Sequence, residues 1–112
     1  MVGVNHDIMV CFFDILSDAF RSQVKAGRIG ILVRREEIFL RFNMAELYLK
    51  VLKNDMFEVP GVGFVDADTV TKVLRAQFKV RVKKGSICGR PMTVYDVSAD
   101  EIREKTGVLF VL

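Results

Sequence analysis

The sequence has no tryptophan, one histidine, two cysteines and two prolines, and each shortage excludes something. A metalloenzyme needs three or four convergent ligands, and His6, standing alone near one end of the chain, offers no such set. Cys11 and Cys88 lie far apart and match no metal-ligand spacing. They read as two buried or half-buried thiols of a reducing compartment, with a disulfide between them as the other reading. Nucleophilic catalysis asks for a Cys or Ser beside a base, and Cys88 has neither His nor carboxylate next to it in sequence. The acidic pairs Glu36–Glu37 and Asp100–Glu101 fall in a turn and at a helix start, where solvation and capping account for them. Long apolar runs are missing too. The most apolar window, "IMVCFF" (Ile8 to Phe13), is closed by Asp7 and Asp14, far short of the ~18–20 residues that span a bilayer. The first residues carry no cationic start followed by a small-residue cleavage site. The expectation is a cytoplasmic protein that is not an enzyme, with no catalytic residues, metal, cofactor, small-molecule substrate or membrane partner.

What is present suits a single folded domain over 1–112: 112 residues, 51% hydrophobic and 28% charged. Net charge is only +3, but it is unevenly spread. From Asp66 to Tyr95 there are seven cations (Lys72, Arg75, Lys79, Arg81, Lys83, Lys84, Arg90) against Asp66 and Asp68, a net +5 that leaves −2 for the rest. A basic segment on a slightly acidic body is the asymmetry of a polyanion-binding face.

The pattern along the chain predicts an α+β order. Asn5 caps a first helix that ends at Gly27, with Ile8, Met9, Phe12, Ile15, Leu16, Ala19, Phe20 and Val24 at helical spacing. Val10, Cys11 and Phe13 widen that stripe, so the helix is either sandwiched within the domain or meets another subunit. Ile29, Ile31 and Val33, then Ile38, Leu40 and Phe42, alternate about a turn at Arg34 to Glu37, which is a hairpin. Asn43 caps a second helix, "MAELYLKVLKN", with Leu47 and Val51 on its buried face. Pro60, Gly61 and Gly63 make Asp55 to Val65 a loop or short extended piece. The Gly61–Gly63 pair lacks the spacing of a phosphate-cradling loop and reads as a turn.

In "VDADTVTKVLRAQF", Asp66 caps a helix whose buried stripe is Ala67, Val70, Val73, Leu74 and Phe78. Its other side shows Asp68, Thr69, Thr71, Lys72, Arg75, Ala76 and Lys79: threonines beside cations, where a solvated face would more often pair Glu with Lys. "VRVKKGSICGRPMTVYDV" then reads as a basic hairpin: strand Val80 to Lys83, tip Lys84 to Arg90, strand Met92 to Val97. Val80 and Val82 point inward in that reading, and Arg81 and Lys83 outward. Ser98, with Glu101 three residues on, forms a capping box for a short last helix, and "VLFVL" closes the chain as a strand or an oligomer contact.

Helix, turn, helix with a cationic outer face, then a basic hairpin, compose a winged helix-turn-helix with an N-terminal helix and an extra β-hairpin. Its parts are the N-terminal helix and hairpin at 5–42, the helix-turn-helix and wing at 43–98, and a C-terminal helix and strand at 99–112. The stretch "ADTVTKVLRAQFKVRVKKGSICGRPMTVYDVS" resembles winged-helix DNA-binding domains. It is most similar to the small winged-helix modules of plasmid and viral (archaeal-type) primase-helicase replication proteins, through Gly89, Arg90, Val94, Tyr95, Asp96, Val97 and Ser98. The resemblance implies a double-stranded DNA-binding module standing alone, a transcriptional regulator or replication accessory factor.

In that arrangement Thr69, Thr71, Lys72 and Arg75 face the major groove, Lys83, Lys84 and Arg90 on the wing hold phosphates, and Lys79 and Arg81 complete the DNA-binding set. A homodimer through the N-terminal helix would set two recognition helices about one DNA turn apart. Two other readings stand beside this one. The first is a protein–protein assembly module using "IMVCFF" and "VLFVL"; the second is RNA or single-strand binding, for which Phe39 is the outward aromatic of the first hairpin. Edge protection by lysine accounts for a basic hairpin alone, but it asks for neither Lys72 nor Arg75.

Overall fold

Adjacent phenylalanines cannot share one narrow helix face, because successive residues are about 100° apart around the axis. The computed structural model, which describes residues 3–22, 29–47, 56–87 and 89–110, resolves this by covering helix α1 (Val4–Ser22) from more than one side. Ile8, Met9, Phe12, Phe13 and Leu16 are all buried. The Phe12 ring lies 5.1 Å from Phe13, 6.0 Å from Phe42 and 6.4 Å from Phe57, while Phe13 lies 5.2 Å from Phe78. The wide apolar stripe is thus used inside the domain. The helix starts one residue before Asn5, and the Gly3 carbonyl accepts from the N–H groups of His6 and Asp7. Its predicted end near Val24 and Gly27 falls outside the described residues.

The architecture is α+β. Strands β1 (Ile29–Arg34) and β2 (Glu37–Phe42) form the predicted hairpin. Its two turn residues, Arg35 (φ 52°) and Glu36 (φ 68°), both have positive φ, the geometry that matches a type I′ turn to the twist of the strands. Asn43 caps α2 (Met44–Glu46), its side chain accepting from the Glu46 N–H at 2.9 Å; Leu47 is buried, and Val51 lies outside the described residues. The predicted loop or short extended piece is extended: a second hairpin, β3 (Met56–Val59) and β4 (Gly63–Asp66), turning through Pro60 and Gly61. Helix α3 (Ala67–Gln77) follows, with Val70, Val73, Leu74 and the following Phe78 buried as expected.

Strands β5 (Val80–Ile87) and β6 (Arg90–Ser98) complete an antiparallel four-stranded sheet in the order β1-β2-β6-β5. This corrects the predicted wing. Lys84, Gly85 and Ser86 belong to the ladder, opposite Thr93, Met92 and Pro91, and Gly89 (φ 80°) precedes β6 at the tip. Gly85 serves close approach: a Cβ there would come within 2.9 Å of Val94 Cγ2 and 3.4 Å of Arg41 Nη1.

One face of the sheet carries Leu40, Phe42 and Val97 into the main core beneath the helices. The other face has its own small apolar centre, Ile87 and Val94, because the long hairpin curls back. A Cβ on Gly30 would lie 3.8 Å from Ile87 Cγ2, although these residues are on opposite edge strands. Val80 packs on the main core as expected, but Val82 beside it is exposed.

Ser98 caps α4 (Ala99–Thr106), accepting from the Glu101 N–H. The capping box is only half formed, since the Glu101 carboxylate instead accepts from the Lys79 N–H at 3.1 Å and from Lys105 Nζ at 2.9 Å. The predicted closing strand is absent from the described part of "VLFVL". Val108 and Phe110 pack against the core without strand pairing, and Ser17 Oγ donates to the Leu109 carbonyl at 2.9 Å. Among the described residues no helix is long and apolar enough to cross a membrane.

Side chains other than Gly and Asn are strained at positive φ, so the β1–β2 turn is the least comfortable backbone in the fold. Glu36→Gly is expected to stabilise the domain by about 1 kcal/mol, raising the thermal midpoint by roughly 4–8 °C. An unchanged or lowered midpoint would show that the turn is not held in this geometry.

Candidate nucleic-acid interface

Helix α3 presents three of the predicted residues together. Thr69, Lys72 and Arg75 follow one another at three-residue spacing and all are exposed. Neither Lys72 nor Arg75 has a carboxylate within ion-pair distance among the described residues. Thr71 is different: it is half-buried and its hydroxyl donates to the Ala67 carbonyl at 2.8 Å, so the proton that would meet a base or phosphate is already used.

The helix is fixed at its start by Asp66, which accepts from the Thr69 N–H at 2.8 Å. Hydrogen bonds from Thr69 hold the Asp66 carboxyl below its ordinary range, and the charge of Lys72 adds to this. At its other end Phe78 is clasped between Phe13 and Lys105, whose Nζ lies 5.1 Å from the ring centroid. The chain then enters β5 two residues later.

The strand cations sort into distinct environments. Lys84 is exposed in mid-strand, opposite Thr93, and Lys83 is half-buried on the other face, opposite Val94. Arg81 and Lys79 belong elsewhere. Arg81, Asp96 and Arg41 stand in one row across β5, β6 and β2. Asp96 is 2% exposed and takes a bidentate pair of bonds from Arg41, at 2.8 and 2.9 Å. That pairing raises the Arg41 pKa beyond its already high value, chiefly through the hydrogen bond to Asp96.

Lys79 and Arg81 line a hollow of about 670 Å³ together with Glu37, Asp96, Asp100, Glu101 and Glu104, with Phe39 in its wall. Five carboxylates around two cations make this a poor seat for a phosphate. Arg90 is also committed: its Nη2 meets the Glu46 carboxylate at 2.7 and 2.8 Å. Together with the bond from Asn43 Nδ2 to the Thr93 carbonyl at 2.7 Å, this ties the hairpin back to the start of α2.

The nine predicted residues therefore divide. Lys72, Arg75, Lys83 and Lys84 have no carboxylate within ion-pair distance among the described residues; Thr69 is exposed but bonded to Asp66, and Thr71, Lys79, Arg81 and Arg90 are engaged or hemmed in by acids. Sequence reasoning missed Phe64, which is 69% exposed on β4, more so than the half-buried Phe39. Its signal was the alternation of Phe64 with the buried Val65 beyond the glycine turn. Cys11 is a free, half-buried thiol whose pKa is raised by burial and by Asp14, which makes it a poor nucleophile. Cys88 lies outside the described residues. No group of three or more His, Cys, Asp or Glu that could hold a metal occurs among the described residues. Comparison of the chain with protein-family models, with curated proteins and with solved structures finds no match.

The lowered pKa of Asp66 ties α3 to pH. Because the folded carboxyl is the more acidic, its stabilisation is complete above the unfolded value, about 3.9, and is lost as pH falls through the folded one. Asp66→Asn keeps a good cap without the titration. Thermal melts at pH 5 and below pH 4 are expected to show a smaller acid-induced drop for the variant than for the wild type. Equal drops would contradict the assignment.

Proposed function

We propose that the chain is a double-stranded DNA-binding protein of winged helix-turn-helix type, acting as a transcriptional regulator or replication accessory factor. Helix α3 enters the major groove, and the β5–β6 hairpin lies along the phosphate backbone. The observation that carries this reading is the face of α3. Thr69, Lys72 and Arg75 are exposed in a row, the two cations without ion-pair partners among the described residues, on a helix that leads directly into a strand bearing Lys83 and Lys84. Arg75 and Lys72 suit guanine edges or phosphates, and the Thr69 methyl suits thymine. Lys83 and Lys84 act on phosphates and add affinity without reading sequence.

The order α2, α3, hairpin supports the winged form, although the β3–β4 hairpin separates the two helices by more than a short turn. Of the residues that widen the α1 stripe, Phe13 is buried and Val10 and Cys11 are half-buried, which weakens the case for a dimer through α1.

Four contacts, from Lys72, Arg75, Lys83 and Lys84, release counterions so that the logarithm of the binding constant falls against log salt with a slope of about −3.6. Fluorescence anisotropy on a labelled random duplex between about 50 and 200 mM salt measures it. Lys72→Ala/Arg75→Ala is expected to flatten the slope by about 1.8, and Lys79→Ala/Arg81→Ala to leave it nearly unchanged. Absence of binding at the low-salt end would defeat the proposal in favour of protein–protein assembly. An effect confined to Lys79 and Arg81 would move the interface to the hollow beside α4.

A further inference from the structure

The passage from α3 into β5 consists of Phe78 and Lys79, and α4 holds it at successive residues. Lys105 Nζ donates to the Gln77 carbonyl at the end of the helix and lies 5.1 Å from the centroid of the Phe78 ring. The Lys79 N–H stands outside the β5 ladder, which begins at Val80. It donates to both oxygens of the Glu101 carboxylate, at 3.1 and 3.3 Å. Glu101 and Lys105 lie one turn apart on α4 and are joined at 2.9 Å, so a single ion pair closes on the carbonyl, the ring and the N–H. A glutamate at this place in a capping box ordinarily reaches back to the cap. Glu101 reaches a residue 22 positions away instead.

The clasp has a firm base. Ile102, on the same helix, is fully buried in the main core, and α4 follows β6 directly through the Ser98 cap. Strand β6 pairs in turn with β5 from Val80 onward. The end of α3 is therefore tied to the sheet by α4 as well as by the chain itself. We infer that Glu101 and Lys105 are positioning residues, which fix the angle between α3 and the β5–β6 hairpin and so hold Lys72 and Arg75 in a set relation to Lys83 and Lys84. The use of that angle rests on the DNA-binding reading, whereas the clasp itself does not.

Charge alone predicts the opposite effect of removing Glu101. Taking an acid from a protein that binds a polyanion by its net field tightens binding. A positioning role weakens it. With the joint free, the four cations still reach phosphates, but the pair on α3 and the pair on β5 must be ordered against each other at every encounter. That ordering costs entropy of the kind lost when one residue's backbone is fixed, enough for about a tenfold loss of affinity. The number of phosphates neutralised is the same, so the salt slope is kept.

Residual dipolar couplings of the labelled protein without nucleic acid report the angle between α3 and the hairpin, and exchange of the Lys79 amide reports the clasp. One fixed orientation is expected to fit both elements in the wild type. Glu101→Ala is expected to speed exchange at Lys79, to leave the two sets of couplings without a common orientation, and to weaken binding of the labelled duplex about tenfold at an unchanged salt slope. Glu101→Gln keeps an oxygen that accepts from the Lys79 N–H and is expected to restore the affinity. Lys105→Met is expected to disturb the couplings in the same way and Lys105→Arg to preserve them; if Glu101→Ala fails to fold, this second pair carries the test. Wild-type couplings in both Glu101→Ala and Lys105→Met would overturn the inference, whatever the protein does with DNA. So would tighter duplex binding by Glu101→Ala, the result of charge alone. A wild type that binds no duplex would overturn the DNA reading and the use of the angle with it, while disturbed couplings in the variants would still support the clasp.

Discussion

The aromatic pair Phe12–Phe13 is the contact on which the rest of the molecule depends. Two neighbouring rings on one helix need cover from different directions, and the chain supplies it from β2 through Phe42, from β3 through Phe57 and from the end of α3 through Phe78. Each fully buried ring of this kind contributes roughly 3–5 kcal/mol against truncation to alanine. Because Phe78 is held there, α3 must end at the core and β5 must begin beside it. The cationic face of α3 is consequently turned outward by a contact made on its far side. Phe42 stacks in turn on Tyr95 at 5.9 Å, which carries the same constraint across the sheet to β6.

Electrostatics then sorts the cations that the core has placed. Arg41 and Asp96 form a buried bidentate pair, and Arg81 in the same cross-strand row is drawn to the acidic side of the sheet. Arg90 closes onto Glu46 and holds the curled hairpin against α2. A buried pair of this type is costly to break, because the remaining partner would be left charged and desolvated. Lys72, Arg75, Lys83 and Lys84 are spared such duties among the described residues. Cations that the fold does not use are the ones available to a polyanion.

The features legible in the sequence were those with short-range causes. The α3 stripe of Val70, Val73, Leu74 and Phe78, the Asn43, Asp66 and Ser98 caps and the turn at Arg35–Glu36 all follow from residues within a few positions of one another. What was missed depends on distant partners. Gly85 looks like a turn residue until Val94 and Arg41 are found against it, and its place in the ladder is what lengthens β5 and shifts the tip. Arg90 pairs with a residue 44 positions away, and the acids around Lys79 and Arg81 come from β2 and α4. Charge periodicity marks which side chains leave a strand's own face, but it carries no information on what other elements bring beside them. The β3–β4 hairpin was hidden for a different reason: four-residue strands flanking a Pro-Gly turn are too short to show alternation.

The central claim is that a duplex sits on α3 and β5 and on no other surface. Titrating the isotopically labelled protein with a short duplex and following backbone amide shifts tests it residue by residue. The account predicts that the perturbed amides concentrate between Thr69 and Arg75 and between Lys83 and Gly85, with β1 and α4 unmoved. Shifts clustered on the acidic hollow beside α4, or no shifts at all, would contradict it.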